Sequence, residues 1–418
     1  MVFNHARRNR RQFLKVVLAA ASGGLLASCR LVLPILGTPG EPEKTVAPTR
    51  PSSTPAFPER QALLYVGTYA AAGTPGLYRY RLDPARGNLA LLDTTQAGAN
   101  PSFLAFHPNG RTLYAVNELI SAQGPQPEGT VSAFAIDPRS GQLTFLNRQP
   151  ALGSAPCHLT TDRQGNFLFV ANYFGGSIAV YRLQADGQIG ESVQLLQQHG
   201  KGPNPARQEG PHPHFITVTS NNRFALHCDL GLDRVIVYRF DPSGGQLLKS
   251  SETVLAPGAG PRHLDFDPGE RFVYVINELD SSMAVFAYAA ETGTLTPVQT
   301  LSTLPEDYSG ANGAAEVCVH PSGKFVYGSN RGHDSLVIYA LDESTGRLTL
   351  IGHEATRGKT PRHFTIDPSG TSLLVANQDS NALVTFQIDT QTGKLSYLHS
   401  IDLPQPTCLK FWSGEGSF

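Results

Sequence analysis

The sequence predicts an all-β fold: a seven-bladed β-propeller with four-stranded blades, its ring closed by N- and C-terminal strands that share one blade. Three observations carry this. A hairpin motif recurs seven times, a Pro-led strand pair recurs between the hairpins, and the last pair lacks the strand that the start of the body supplies. Composition agrees: 16% charged residues with 41 Gly and 31 Pro suit short strands and turns better than long amphipathic helices.

The hairpin motif reads aromatic, any residue, apolar, then an Asp- or Gly-bearing turn and a second apolar run. Tyr80-Arg81-Leu82-Asp83 leads to Gly87 and Leu89, and further copies start at Phe134, Tyr181, Tyr238, Phe286, Tyr339 and Phe386. Alternating apolar residues on both sides of such a turn mark a β-hairpin. The second motif opens with Pro and ends on Asn or Asp. Pro261-Arg262-His263-Leu264 followed by Phe272-Val273-Tyr274-Val275-Ile276-Asn277 is its clearest copy. Others open at Pro101, Pro156, Pro213 and Pro361, with a variant near Ala315 and a half-copy at Pro406. Leu64-Tyr65-Val66-Gly67-Thr68-Tyr69 has the pattern of the missing strand, so the two ends should complete one blade. Repetition around a ring leaves only short sheet edges.

Within each Pro-led pair, the first strand's start and the second strand's end emerge on one face and should ring the mouth of a central channel. Opening positions there offer Ser102, Cys157, His158, His214, Arg262, His263, Glu316, Arg362 and His363. Closing positions offer Asn117, Glu118, Asn172, Tyr173, Asp229, Asn277, Glu278, Asn330, Arg331, Asn377 and Gln378. The recurring Asn reads chiefly as a turn-fixing residue. Residues that differ between blades, Tyr173, His214, Glu278 and Arg331, carry more functional information.

The first 61 residues read as an address and a tether. Five basic and no acidic residues precede Cys29, and without them the chain carries 28 basic against 34 acidic residues, a net charge of −6. Asn9-Arg10-Arg11-Gln12-Phe13-Leu14-Lys15 resembles a twin-arginine export motif, and an apolar stretch too short to span a bilayer follows. Leu26-Ala27-Ser28-Cys29 resembles a lipobox, with Cys29 the lipidated residue. The expected division is a signal peptide at 1–28, a lipidated Pro/Thr/Ser-rich tether at 29–61 and the propeller at 62–418. This implies an extracytoplasmic, lipid-anchored protein, expected to be monomeric. The near-neutral total charge gives no reason to expect a nucleic-acid partner. Cys157, Cys228, Cys318 and Cys408 fall in strand-like segments and read as small buried apolar residues.

Several of these segments together resemble the seven-bladed lactonase family of the 6-phosphogluconolactonase and carboxy-muconate lactonizing type. They include Asn172-Tyr173, Pro211-His212-Pro213-His214, Asp229-Leu230-Gly231-Leu232-Asp233, Pro261-Arg262-His263, Ile276-Asn277-Glu278-Leu279 and Ser329-Asn330-Arg331-Gly332-His333. The resemblance runs over about residues 62 to 412. It implies a small-molecule lactone substrate and a His, two-Arg, Glu site falling on His214, Arg262, Arg331 and Glu278.

Opening a lactone requires an activated water and stabilisation of the oxyanion formed at the carbonyl. His214 is the expected general base, with His212, two residues away on the same strand face, as the alternative, because an unperturbed imidazole titrates near neutrality and such a base supplies ~10²–10⁴ in rate. Arg262 and Arg331 would stabilise developing negative charge. Glu278 would orient an Arg or carry the proton to the leaving hydroxyl. His212, Tyr173, Asp229, Asn277 and Glu316 are the expected substrate-binding residues, and no metal or other cofactor is expected. Two other readings stay open: a non-catalytic binding propeller, and a metal-dependent lactonase drawing oxygen ligands from Glu118, Asp229, Glu278 and Glu316.

Overall fold

The computed structural model describes residues 63–120, 129–412 and 414. The signal peptide, the tether and Cys29 lie outside the described residues. Twenty-eight strands form seven antiparallel four-stranded sheets, and the described residues contain no helix. In chain order, blades 1 to 6 begin with the innermost strands Leu104–Phe106, Pro156–Thr161, Pro213–Val218, Pro261–Phe266, Gly313–Val319 and Pro361–Ile366. Blade 7 joins the C-terminal Pro406–Trp412 to the N-terminal Leu63–Thr68 and two further strands. Leu63 pairs with Trp412 and Gly67 with Cys408, so the ring closes as the sequence predicts. The Trp412 indole then donates to the Gly110 carbonyl of blade 1 at 2.7 Å.

The burial pattern explains the sheet order. The second strand of a blade is covered on both faces, as in Phe167–Asn172 and Ser372–Asn377, whose six residues are all buried. The outermost strand alternates toward solvent, as in Leu143–Pro150. Core clusters form mainly between neighbouring blades, with Phe169, Val180, Ile216 and Ile236 filling one such seam. Each large apolar side chain removed from water stabilises the ring by roughly 1.5–3 kcal/mol.

The two sequence motifs interlock at these seams. Tyr114, Tyr274 and Tyr327 of second strands donate to the carbonyls of Gly187, Gly346 and Gly393 in the hairpin turns of the next blade. Tyr65 does the same to Gly141. These glycines have positive φ, +87° at Gly187 and +71° at Gly346, a backbone that a side chain would strain.

A break in the ladder directs side chains at the mouth. In blades 3, 4 and 6, the opening Pro pairs with the closing Asp or Asn, but the next pair skips one residue. His214, Arg262 and Arg362 are therefore the extra residues of β-bulges, and Cys157 is their equivalent in blade 2. A bulge adds local twist and re-aims its unpaired residue.

The recurring Asn holds the scaffold. Asn117, Asn172, Asn330 and Asn377 donate to the carbonyls of Ala97, Ala151, Thr303 and Thr356, each on the chain entering the same blade.

Candidate active site at the bulged end of the channel

A cavity of about 320 Å³ opens at the bulged end. A plug of rings separates it from the other end of the channel: Phe103 lies tilted against His158 at 4.2 Å, Phe215 lies 4.3 Å from His158, and His263 lies 5.4 Å from His158. Below the plug, a second cavity opens at the other end of the channel, lined by Phe106, Thr160, Thr217 and Lys410 among others.

One wall of the upper cavity is built on Glu278, which follows the second strand of blade 4. Its buried carboxylate receives Arg331 at 2.7 Å and Arg207 at 2.5 Å. Arg262 Nε lies 3.2 Å away, but off the line a hydrogen bond needs, so this nitrogen keeps no acceptor. Burial alone would raise the Glu278 pKa, yet Arg331, Arg262 and Arg207 together hold it well below the carboxylate range. Glu278 is thus a fixed anion, and the guanidiniums are fixed in turn. Arg331 also donates to the Gly313 and Ala314 carbonyls at 3.1 and 3.3 Å, and Arg262 to the Ala315 carbonyl at 2.7 Å. Burial, aided by Arg331 and Arg362, lowers the Arg262 pKa to about 10.

The opposite wall repeats the arrangement with other residues. Glu118 accepts from the Tyr69 hydroxyl at 2.9 Å and from the Ser102 hydroxyl at 2.5 Å. Arg362 lies 3.8 Å from this carboxylate and stacks over the Tyr69 ring at 5.2 Å.

Between the walls stand Tyr173, His212 and His214. His212 stacks on Tyr173 with ring centroids 4.4 Å apart and planes 12° from parallel. Its Nδ1 meets the Tyr173 carbonyl at 3.0 Å, and its Nε2 meets Glu209 at 3.2 Å, so both nitrogens face acceptors. His214 is different. It is buried, and its Nδ1 has no hydrogen-bond partner. Burial first, then Arg262, His263, Arg362 and Arg331, push its pKa well below the imidazole range. The ring is therefore neutral, free to accept a proton, and a weaker base than an unperturbed imidazole.

Of the nine candidate residues, Tyr173, His212, His214, Glu278 and Arg331 line this cavity. Four do not. Arg262 is buried, its Nε 3.2 Å from the Glu278 carboxylate, and does not line the cavity. Asp229, expected to bind substrate, is spent on the backbone: Oδ1 accepts from the amides of His212 at 2.8 Å and Leu232 at 3.1 Å. Asn277 turns back to the Ser282 hydroxyl at 2.8 Å. Glu316 belongs to the plug, 3.0 Å from His263 and 3.4 Å from His363. All three were placed at the mouth from their position along a strand. Alternation, and in blade 5 a break in the strand pairing between Ala314 and Val317, turn their side chains elsewhere.

The cavity is also lined by polar residues outside the candidate set, among them Glu118, Arg362, Tyr69 and Arg207. Glu118 and Arg362 stood at mouth positions but were not singled out. Tyr69 follows its strand as Tyr173 follows another, and that equivalence was the signal for it. Arg207 had no such signal, because it comes from the 198–212 connection between blades 2 and 3. This connection is pinned by Gln208, which is fully buried and donates to the Leu230 carbonyl at 2.9 Å and Asp233 at 2.6 Å. It lies so close to the next turn that a Cβ on Gly231 would collide with the Gly210 carbonyl.

The four thiols in Cys157, Cys228, Cys318 and Cys408 are free. Among the described residues, no group of three or more His, Cys, Asp or Glu is placed to hold a metal ion.

Residues 63–411 match the family model described as lactonase, 7-bladed beta-propeller. The 6-phosphogluconolactonase of Bacillus subtilis is 36% identical over 348 residues, covering 83% of this chain and 97% of that protein. A 6-phosphogluconolactonase of Formosa agariphila is 35% identical over 311 residues, 73% of this chain and 86% of that protein. The solved structure of a periplasmic gluconolactonase from Pseudomonas aeruginosa matches with a TM-score of 0.79 at 33% identity, covering 84% of this chain and 99% of that one. A ring closed by both chain ends, a plugged channel and a charged mouth thus accompany similarity over the whole described body, and the chain belongs to the seven-bladed β-propeller lactonase family.

Proposed function

We propose that this protein hydrolyses a sugar-type lactone in the upper cavity, as a carboxylic-ester hydrolase of the 6-phosphogluconolactonase kind. The observation that carries the reading is the neutral His214, its Nδ1 without a hydrogen-bond partner, beside a buried guanidinium cluster whose geometry Glu278 fixes. In this mechanism His214 accepts a proton as a water molecule attacks the lactone carbonyl. Arg331, held on two backbone carbonyls and Glu278, faces the oxyanion, where a preorganised donor acts mainly on the transition state. Arg262 supports Glu278 as a positioning residue. The tetrahedral intermediate then collapses, the ring C–O bond breaks, and the proton on His214 passes to the leaving oxygen as a hydroxyl. The positive charges that depress His214 make its imidazolium short-lived, which favours this second transfer. Tyr69, Tyr173 and Glu118 supply hydroxyl and carboxylate partners for the hydroxyls of a sugar ring.

The N-terminal motifs support an extracytoplasmic location for this activity, with Cys29 as the lipid anchor. A structural relative named as a periplasmic gluconolactonase supports that location.

The test is a hydrolysis screen of aldonolactones, with and without phosphate, run with and without a chelator. Turnover that persists in chelator supports the reading. Its loss on chelation favours the metal-dependent alternative, and no turnover of any lactone favours a binding propeller.

A further inference from the structure

The upper cavity is lined by the guanidiniums of Arg207, Arg331 and Arg362, with the buried Arg262 beside Glu278, and by three carboxylates, the inward Glu118 and Glu278 and the exposed Glu209, which faces His212. Three of these guanidiniums are fixed. The side chains of Arg262, Arg331 and Arg362 are only 3%, 17% and 17% exposed. Arg207 is 44% exposed and comes from a connection rather than an inner strand. Its backbone is anchored next door by the buried Gln208, so the freedom lies in the side chain. It reaches across the mouth to Glu278 at 2.5 Å and to the Tyr173 hydroxyl at 3.3 Å. Glu278 does not depend on that contact, because Arg331 stays 2.7 Å away and Arg262 3.2 Å away.

We propose that Arg207 is a specificity-determining arm that leaves Glu278 to pair with a phosphate substituent on the incoming lactone. The proposal rests on the lactone reading of this cavity. An anion entering here meets the guanidiniums of Arg207, Arg331 and Arg362, and Arg207 is the member of the cluster that can move to it without orphaning a buried carboxylate. Its planar fork suits a phosphate, and the exchange replaces one charge-assisted hydrogen bond with another. A neutral lactone offers no such exchange, so Arg207 stays on Glu278 and adds nothing to its binding.

The experiment separates binding from turnover. Full-length protein is titrated calorimetrically with 6-phosphogluconate and with gluconate, which differ by the phosphate and cannot be hydrolysed. Wild type should bind the phosphorylated acid about 10-fold or more tighter. Arg207→Ala should remove most of that preference while leaving gluconate affinity unchanged, and Arg207→Lys should keep part of it. In parallel, Arg207→Ala should raise KM for the phosphorylated lactone about 10-fold with kcat little changed, and leave both parameters for the neutral lactone in place. Equal weakening toward both acids would mean a structural role and overturn the proposal, as would a wild type with no preference or a preference that survives in Arg207→Ala. If the preference behaves as expected but no lactone is turned over, hydrolysis fails and the arm stands. Should Arg207→Ala not fold, Arg207→Lys alone decides: an undiminished preference overturns the proposal, and a reduced one supports it.

Discussion

The two ends of the central channel are built from the same seven strands, yet they carry different chemistry. At the upper end, bulges after the opening Pro turn His214, Arg262 and Arg362 inward, and residues just past the second strands add Tyr69, Glu118, Tyr173 and Glu278. At the lower end the ladder is regular, and inner-strand residues such as Ala105, Thr160 and Thr217 meet a cavity with Lys410 as the cation on its inner strands. Repetition makes the scaffold, and functional groups collect where the repeat is interrupted. The same contrast holds within the upper end: the Asn that recurs is a tie, whereas the residues that change from blade to blade face the cavity.

Four changes sharpen or break this contrast. The largest effect is expected at Glu278. Glu278→Ala leaves three guanidiniums without their shared anion, and kcat/KM should fall about 10³-fold with a stability loss of roughly 3–5 kcal/mol. Steady-state kinetics and a denaturant titration read both, and near-normal activity would remove Glu278 from the mechanism.

A pH profile comes next. The mechanism needs His214 neutral and Glu278 ionised. Both pKa values are pushed down, the first by burial and the arginines, the second by the arginines acting against burial. Acidification therefore leaves both groups in their working forms until well below 6.5, the ordinary imidazole value. The acid limb of kcat/KM should lie well below that pH, and a limb at or above it would show that another group controls the rate.

Asn377→Ala should separate scaffold from site. Losing its bond to the Thr356 carbonyl should cost about 1–3 kcal/mol of stability, because that buried acceptor is left without its donor, while kcat/KM stays near wild type. Lys410→Ala, at the opposite end, should change kcat/KM by no more than about twofold, in the range of distant surface changes. A large kinetic defect there would mean that the plug does not isolate the two ends.

Much of this was legible in the sequence. The seven hairpins, the Pro-to-Asn pairs and the offset between the chain ends each report a backbone periodicity, and the ring follows from them. Site residues were legible to the extent that position along a strand fixes direction. Tyr173, His214, Glu278 and Arg331 face the cavity. Asp229, Asn277 and Glu316 do not, since a one-residue difference in a pleated strand reverses a side chain. The bulges that decide this leave no composition mark. Arg207 was invisible for a different reason, because a connection between blades has no repeat to locate it.

The most direct test of the central claim is the buffer-corrected rate of sugar-lactone hydrolysis by His214→Ala, measured on protein whose thermal melt matches wild type. The neutral imidazole, its Nδ1 without a hydrogen-bond partner, is the group this mechanism assigns to the water, so kcat/KM should fall by at least about 10²-fold. A rate within about threefold of wild type in that folded variant would contradict the assignment, and with it the mechanism proposed for this cavity.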